Sequence, residues 1–196
     1  MPKKAVFSKK QIFDTAFALF ESKGLEAITA RNLGKALSSS PAPIYAHYSS
    51  ITELKNELIS VAKDRFLEYL KRPVTDKIYL NIGIGICTFA KENKQLFISI
   101  FLREQSFSDL IREFRDVIKV EMNKDSRFNS LSNEFKDMLF FDCWTYAHGL
   151  STLIATGFFP ADNEPDDEYI KERLMQGAAT MLYKRLEDYN SSLNNK

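Results

Sequence analysis

The sequence contains few side chains of the kinds that build metal centres or disulfide frameworks. Only two cysteines, Cys87 and Cys143, and two histidines, His47 and His148, occur among the 196 residues. They are too few for a disulfide framework, and their spacings fit neither a four-ligand zinc site nor a catalytic triad. We therefore expect a protein that is not an enzyme, has no metal and no cofactor, and keeps its thiols reduced.

Glycine, proline and long apolar runs are also scarce. The seven glycines and six prolines fall mainly where helices can end, and Gly83-Ile84-Gly85 lacks the third glycine of a dinucleotide-binding loop. The longest charge-free run, residues 143–161, contains threonine, serine and histidine and passes through Pro160, which favours a buried helix over a membrane span. The first residues lack the apolar core of a secretory signal. We expect a cytoplasmic protein without a membrane partner.

Charge of one sign is not in excess over the whole chain, whose formal net charge is +1. The distribution is uneven, because residues 1–55 carry eight basic side chains against four acidic ones, and the remainder carries 19 basic and 22 acidic ones. A basic first quarter on a mildly acidic body is typical of a protein that binds phosphates at one end. A chance fluctuation in so modest a number of charges gives the same pattern.

Apolar residues recur at helical spacing along most of the chain and predict an all-α fold of about nine helices. Ser8 and Thr29 stand where helices can begin, and Ser50 with Glu53 fits a capping box at the start of a long helix. Pro41 is tolerated as the first residue of a short third helix over about residues 41–47.

One stretch is open to two interpretations. Residues 80–87 (LNIGIGIC) alternate as in a β-strand, whereas Ile78, Ile82, Ile86 and Phe89 also fit helical spacing. A lone strand among helices would leave its backbone hydrogen-bonding groups without partners, so we predict a helix here.

The most informative pattern lies in residues 28–58, ITARNLGKALSSSPAPIYAHYSSITELKNEL. In order and spacing they resemble the helix-turn-helix of the tetracycline-repressor (TetR) family of transcriptional regulators. The positions that carry the resemblance are Thr29, Arg31, Leu33, Lys35, Pro41, Ile44, Tyr45, His47, Tyr48 and Leu54. The resemblance implies a three-helix DNA-binding domain over residues 1–52 and an effector-binding and dimerisation domain over residues 53–196.

The resemblance and the exposed positions it implies give a set of DNA-binding residues. They are Thr29, Arg31, Ser40, Ala42, Pro43, Tyr45, His47 and Lys55. Because Ala42 and Pro43 have no long polar side chains, we expect an operator in which thymine methyl groups face them and Arg31 binds a guanine.

The sequence departs from the family pattern at two places in this segment. Ser38 stands in the turn where a small residue, usually glycine, is found, so the turn must accommodate a side chain. Ile51 stands where the family usually has a lysine that touches the DNA backbone, and Lys55, one turn later, is the candidate to replace it.

The resemblance further implies a small-molecule pocket in the body and a homodimer. The residues expected to line the pocket are Phe89, Phe97, Phe101, Phe114, Trp144, Tyr146 and His148, with ordinary core packing as the alternative for each. Those expected at the dimer interface are Leu150, Leu153, Ile154, Leu174, Gly177, Ala178 and Met181. The resulting prediction is a repressor released from a palindromic operator by a small, mostly apolar effector. The alternative is a helical dimerisation module with weakened or lost DNA binding.

Overall fold

A computed structural model describes residues 7–103 and 107–194 of the chain, and within these ranges every regular element is helical. The helices are α1 (Lys9–Lys23), α2 (Ala30–Ala36), α3 (Ala42–Tyr45), α4 (Ile51–Leu70), α5 (Ile78–Glu92), α6 (Lys94–Phe101), α7 (Phe107–Met122), α8 (Asn133–Ala155), α9 (Asp167–Leu174) and α10 (Thr180–Asn194). A π-helical turn, Met175–Ala179, joins α9 and α10 into one continuous last helix. The all-α prediction is confirmed.

The helix starts follow the capping residues that the sequence indicates. The Ser8 hydroxyl accepts from the Gln11 amide N–H while the Gln11 side-chain oxygen accepts from the Ser8 N–H, which gives α1 a complete capping box. The Thr29 hydroxyl accepts from the Asn32 N–H and caps α2. Gly24 ends α1 with a φ of 78°, a conformation that glycine adopts without steric cost.

The first four helices share one small core, which we call the head (α1–α3 with the first turns of α4). Its centre consists of side chains with no accessible surface, among them Ile12, Phe20, Leu33, Ile44 and Leu54. Because these side chains come from all four helices, Ile44 ties α3 to a core that it shares with α1, α2 and α4.

Helix α4 continues from the head into the rest of the molecule, which we call the body. Its 20 residues make a rod of about 30 Å. Leu54 and Leu58 lie in the core of the head, whereas Phe66 packs edge-on against Phe89 of α5 and Phe101 of α6. The helix therefore takes part in both cores.

The contested stretch at residues 80–87 is helical, as predicted. It belongs to α5, which packs against α4 on one side and α8 on the other. At Gly85 the helix crosses α4 so closely that a Cβ atom would lie 2.4 Å from the Tyr69 carbonyl oxygen. Burial on both sides explains why α5 is apolar nearly all round.

The head also touches the body away from α4. Helix α1 packs against α6, and a Cβ atom at Gly24 would lie 2.7 Å from the side-chain oxygen of Gln95. A domain boundary at residue 52 cuts through the first turn of α4, and the division into 1–52 and 53–196 stays a prediction.

Two features are missing from the part of the chain that the structure describes. None of its helices is long and apolar enough to cross a membrane. No group of three or more histidine, cysteine or carboxylate side chains in residues 7–103 and 107–194 is placed to hold a metal ion.

Candidate functional site

Helices α2 and α3 are joined by a tight turn whose hydrogen bonds define a Schellman motif. The Ser39 N–H donates to the Gly34 carbonyl at 2.8 Å, and the Ser38 N–H donates to the Lys35 carbonyl at 3.0 Å. Ser38 has a φ of 50°, the left-handed conformation that this motif usually gives to glycine. The turn therefore accommodates a side chain, as the sequence required.

Helix α3 presents one side to solvent and the other to the head core. Ile44 and, just past its end, Tyr48 are buried, whereas the Tyr45 side chain is 52% exposed. Of the other predicted DNA-binding residues, Thr29, Arg31, Ser40, Ala42 and His47 are exposed and Pro43 is half-buried. Seven of the eight predicted residues are thus wholly or partly exposed, on α2, on α3 or next to these helices in the chain.

Helix α3 is shorter than the sequence pattern indicates. It ends at Tyr45, and the N–H groups of His47 and Tyr48 both donate to the Ile44 carbonyl in a closing turn. This turn brings the Tyr48 ring into the core, where burial, followed by the nearby Glu57 carboxylate, raises the pKa of Tyr48 to about 12.

The eighth predicted residue, Lys55, is less available. Its side chain is only 24% exposed, and the ammonium lies 3.8 Å from a Glu26 carboxylate oxygen. Ile51 is half-buried and packs against the core. Neither side chain gives this end of α4 a freely exposed cation.

The start of α4 departs in detail from the predicted capping box. The Ser50 hydroxyl accepts from the Glu53 N–H at 3.1 Å, as predicted. The Glu53 carboxylate accepts from the backbone N–H and the hydroxyl of Ser49 instead of closing on Ser50. These two hydrogen bonds lower the pKa of Glu53 below its usual value.

One contact of the predicted DNA-binding surface could not be foreseen from local sequence. The Nε2 atom of His47 is hydrogen-bonded to the Phe7 carbonyl oxygen at 2.8 Å, although the two residues are 40 positions apart. The contact links the segment before α1 to the residues that follow α3.

Six of the seven predicted pocket residues form, together with Phe66, a packed aromatic cluster (Phe66, Phe89, Phe97, Phe101, Phe114, Trp144 and His148). Ring centroids in this cluster lie 4.8–6.4 Å apart. Trp144 Nε1 is buried and has no hydrogen-bond acceptor among the described residues. Burial lowers the pKa of His148. Of the pocket residues, only Tyr146 lies apart, with its hydroxyl donating to the Arg173 carbonyl at 2.9 Å.

Two cavities of several hundred Å³ have linings in which Phe114 is the one residue that belongs to this cluster. One of about 330 Å³ lies between α4, α5 and α9, with a charged rim that includes Arg72, Glu92 and Lys171. Another of about 280 Å³ separates α4 from α7 and is lined by Lys63, Glu113 and neighbouring side chains. Beside Trp144 there is a space of only about 10 Å³, which is no larger than a water molecule requires.

The predicted dimer residues divide into two groups. Leu150, Ile154, Leu174 and Ala178 are buried within the chain's own core, and the Tyr146 ring covers Gly177. Leu153 and Met181 are 39% and 38% exposed. The apolar spacing that suggested the interface therefore marks, for most of these residues, the side that packs on the body.

A chain of polar contacts joins head and body beside α4. Arg65 of α4 pairs with Glu21 of α1 and donates to the Asn93 side-chain oxygen. Asn93 in turn donates to the Tyr69 hydroxyl at 3.0 Å, and that hydroxyl donates to Glu92 at 2.5 Å. The end of α1 is thus connected to the junction of α5 and α6.

The comparison with known proteins agrees with this geometry. No curated protein sequence matches the chain. The family model described as bacterial regulatory proteins, tetR family, matches residues 12–58, which run from α1 into α4 and include the Schellman turn and α3. The match covers the elements that form the head and expose the predicted DNA-binding surface. In these residues the chain is similar to the tetR family of bacterial regulatory proteins.

Proposed function

We propose that this DNA-binding regulator acts as a repressor that leaves a palindromic operator when a small effector binds to its body. The observation that carries the proposal is the exposed face of α3, held outward by the Schellman turn and by burial of Ile44 and Tyr48. A helix held in this way can enter a major groove, which is about 12 Å wide.

The proposed contacts divide into positioning and sequence readout. Tyr45 and Thr29 offer hydroxyl groups to phosphates, and the start of α2 favours a negative charge. Arg31 is exposed and is proposed to bind a guanine edge, while Ala42 and Pro43 lie against thymine methyl groups. An operator rich in thymine with one conserved guanine per half-site is expected.

The aromatic cluster is the proposed effector site. Its support is the Trp144 indole N–H, which is buried without an acceptor among the described residues. A buried donor without a partner costs about 1–3 kcal/mol, and a ligand that supplies an acceptor recovers this free energy. The effector is therefore proposed to be mostly apolar with at least one hydrogen-bond acceptor. It displaces the packed rings and favours a conformation that does not fit the operator.

A homodimer is proposed through the exposed faces of α8 and the last helix. Leu153 and Met181 give each of these helices an apolar side chain at the surface. A two-fold pair would place two heads on the half-sites of a palindrome.

Binding-site selection from a random duplex pool, followed by titration of the selected duplex, tests the proposal. We expect selection of a palindrome and a steep loss of affinity with rising salt. Arg31→Ala is expected to cost about 1–3 kcal/mol and to relax selection at the guanine, whereas Arg173→Ala, on the exposed surface of α9, leaves the selected sequence unchanged. Selection of no sequence at any salt concentration would favour the alternative, a dimerisation module without DNA binding.

Effector binding can be followed directly because the chain contains a single tryptophan. Apolar compounds with a carbonyl or carboxylate acceptor are expected to change Trp144 fluorescence and to release the operator over the same concentration range. A compound that changes the fluorescence without changing operator affinity would contradict the induction mechanism.

A further inference from the structure

The cavity of about 330 Å³ between α4, α5 and α9 takes no part in the proposed effector site. Small-molecule sites in proteins have volumes of about 300–1,000 Å³, so this cavity is large enough for a ligand. The buried part of its lining consists of Tyr69, Ile84 and the backbone at Gly85. Thr75 and Thr88 add hydroxyl groups to the lining. The cavity therefore offers a small molecule both apolar contact and hydrogen-bonding groups.

The Arg72 guanidinium lines this cavity and makes no hydrogen bond to the described residues. It lies over the Tyr69 ring, 3.5 Å from the ring centre, which holds it at the wall of the cavity. The Glu92 carboxylate is 3.9 Å away, too far for a hydrogen bond, and accepts instead from the Tyr69 hydroxyl at 2.5 Å. A guanidinium presents its N–H donors as a rigid fork that matches a carboxylate. Arg72 is therefore placed to bind the carboxylate of a ligand.

The part of the lining that α9 provides is mainly acidic and consists of Asp167, Glu168 and Lys171. Glu168 pairs with Lys171 at 3.3 Å, and Asp167 pairs with Lys91 at 2.8 Å. The two carboxylate side chains are 69% and 80% exposed, and ion pairs at such exposed positions contribute little free energy. An ammonium group of a ligand can therefore replace a lysine in either pair at little cost.

We propose that this cavity is a second ligand site, for a small zwitterion with a carboxylate and an ammonium group at opposite ends of a methylene chain. The carboxylate binds Arg72, the ammonium binds the acidic side chains of α9, and the methylene groups lie against Ile84. Because the axes of packed helices are about 8–10 Å apart, charged groups on two walls of the cavity suit a ligand with separated charges. This ligand differs in chemistry from the mostly apolar effector proposed for the aromatic cluster.

The residues of this site are connected to the head by hydrogen bonds. The Tyr69 hydroxyl accepts from Asn93 at 3.0 Å, and the Asn93 side-chain oxygen accepts from Arg65. Arg65 in turn pairs with Glu21 of α1. A ligand carboxylate on Arg72 acts on the guanidinium that packs on the Tyr69 ring, at one end of this series of contacts. Occupancy of the cavity is therefore expected to change operator affinity, and this part of the inference rests on the proposed DNA binding.

Isothermal titration calorimetry on the full chain tests the site in the absence of DNA. The probe is 6-aminohexanoate, and its analogues hexanoate and hexylamine each lack one of the two charges. Each analogue is expected to bind at least about tenfold more weakly, since a hydrogen bond to a charged group contributes about that much. The isomer L-leucine, whose two charges are adjacent, should also bind more weakly. No binding of 6-aminohexanoate at about 10 mM, or an analogue or isomer that binds equally well, would overturn the proposal.

Two matched substitutions locate the bound probe. Arg72→Gln removes the guanidinium that lines the cavity and is expected to weaken binding of 6-aminohexanoate at least about tenfold. Lys71→Gln removes the same charge from the adjacent residue, which is not part of the lining, and should leave binding unchanged. Arg72→Lys keeps the charge without the fork and should fall between wild type and Arg72→Gln. Equal losses in Arg72→Gln and Lys71→Gln would show a response to overall charge and would overturn the assignment.

Titration of the selected operator duplex with and without saturating 6-aminohexanoate tests the connection to the head. A change of about fivefold or more in operator affinity is expected. Glu21→Ala, at the head end of the hydrogen-bonded series, should bind the probe like wild type but lose most of this change. Asp14→Ala removes the same charge from another exposed position of α1 and should keep it. Unchanged operator affinity in the wild type would overturn the connection, whereas a protein that binds the probe but no duplex would refute the proposed DNA binding.

Discussion

Among the described residues of the head, Ser38 is the one non-glycine residue with a positive φ. Its φ of 50° lies in the left-handed region, which costs an ordinary residue about 1–2 kcal/mol relative to the right-handed one. The Schellman hydrogen bonds from Ser38 and Ser39 hold it there. Serine at this position is therefore tolerated by the turn and not favoured by it.

Ser38→Gly is expected to raise the free energy of unfolding by up to about 1 kcal/mol. Glycine removes the strain of the left-handed conformation but has a larger entropy in the unfolded chain, so the net gain is smaller than the strain itself. Urea denaturation followed by circular dichroism measures the change. Ser22→Gly, in the regular last turns of α1, serves as control and should lose stability; a loss at Ser38 as well would contradict the argument.

His148 gives the body a dependence on pH. Its ring is half-buried and stacks on Trp144 with centroids 5.4 Å apart, and burial lowers its pKa below the usual 6.5. In the range between the two pKa values the unfolded chain binds more protons than the folded one. Stability must therefore fall as the pH falls through about 6.5, and the fall ends below the folded pKa.

His148→Phe is expected to remove this part of the pH dependence while keeping the ring contacts with Phe97 and Phe101. The measurement is a series of urea unfolding curves between about pH 5 and 8. His47→Phe, at an exposed position of the head, is the comparison. If wild type and His148→Phe lost stability in parallel over this range, another group would be responsible.

At the scale of elements, the last helix contains a feature that its sequence pattern explains. The apolar residues Ile170, Leu174, Ala178, Leu182 and Leu186 follow one another at intervals of four, longer than the 3.6 residues of an α-helical turn. In a regular helix this stripe would drift around the axis away from α8. The π-helical turn at Met175–Ala179 takes up an extra residue and brings the stripe back toward its neighbours.

Tyr146 of α8 holds this turn. Its hydroxyl donates to the Arg173 carbonyl at 2.9 Å, and its ring lies where a side chain of Gly177 would be. A Cβ atom on Gly177 would come within 2.0 Å of the ring. The small residues of the Gly177-Ala178-Ala179 sequence permit a close approach, and the group that approaches is the Tyr146 side chain of the same subunit.

Gly177→Ala is accordingly expected to lower the free energy of unfolding by about 1–3 kcal/mol, because the Tyr146 ring must move and its hydrogen bond is lost. The matched control is Gly149→Ala in α8, where a Cβ atom would meet nothing within 4 Å. That change should stabilise by about 0.5–1 kcal/mol through helix propensity. Thermal and urea unfolding measure both, and a neutral Gly177→Ala would contradict the packing described here.

The elements that sequence predicts best are those that local rules determine. Ser8, Gly24 and Thr29 act through contacts within four residues. Helix α5 is predicted because a lone strand would leave its backbone groups without hydrogen-bond partners. The bond from His47 to Phe7 joins residues 40 positions apart, so no local pattern signals it. The apolar residues at intervals of four indicate the π-helical turn, but this pattern can be interpreted only when the neighbours of the helix are known.

At the scale of the whole molecule, the exposed apolar residues of α8 and the last helix predict the oligomeric state. Replacing both Leu153 and Met181 by glutamate puts two charges per subunit into the proposed interface. A charge buried without a partner costs several kcal/mol, so we expect monomers and a large loss of operator affinity. Sedimentation velocity and operator titration provide the two measurements.

The control replaces Val74 and Val120 by glutamate. These valines are 57% and 61% exposed and lie outside α8 and the last helix. This variant should remain dimeric and keep its operator affinity. If both double variants sediment like the wild type, the dimer interface lies elsewhere on the chain.

The head is attached to the body at two places, along α4 and through the contacts of α1 with α6 and with Arg65. Because the head is attached at two places, it cannot rotate relative to the body about a single hinge. In the proposed dimer, the shape of the body therefore determines the distance between the two α3 helices. The side chains on α3 determine which bases are bound. Operator spacing and operator sequence should then evolve separately, each through substitutions in a different part of the chain.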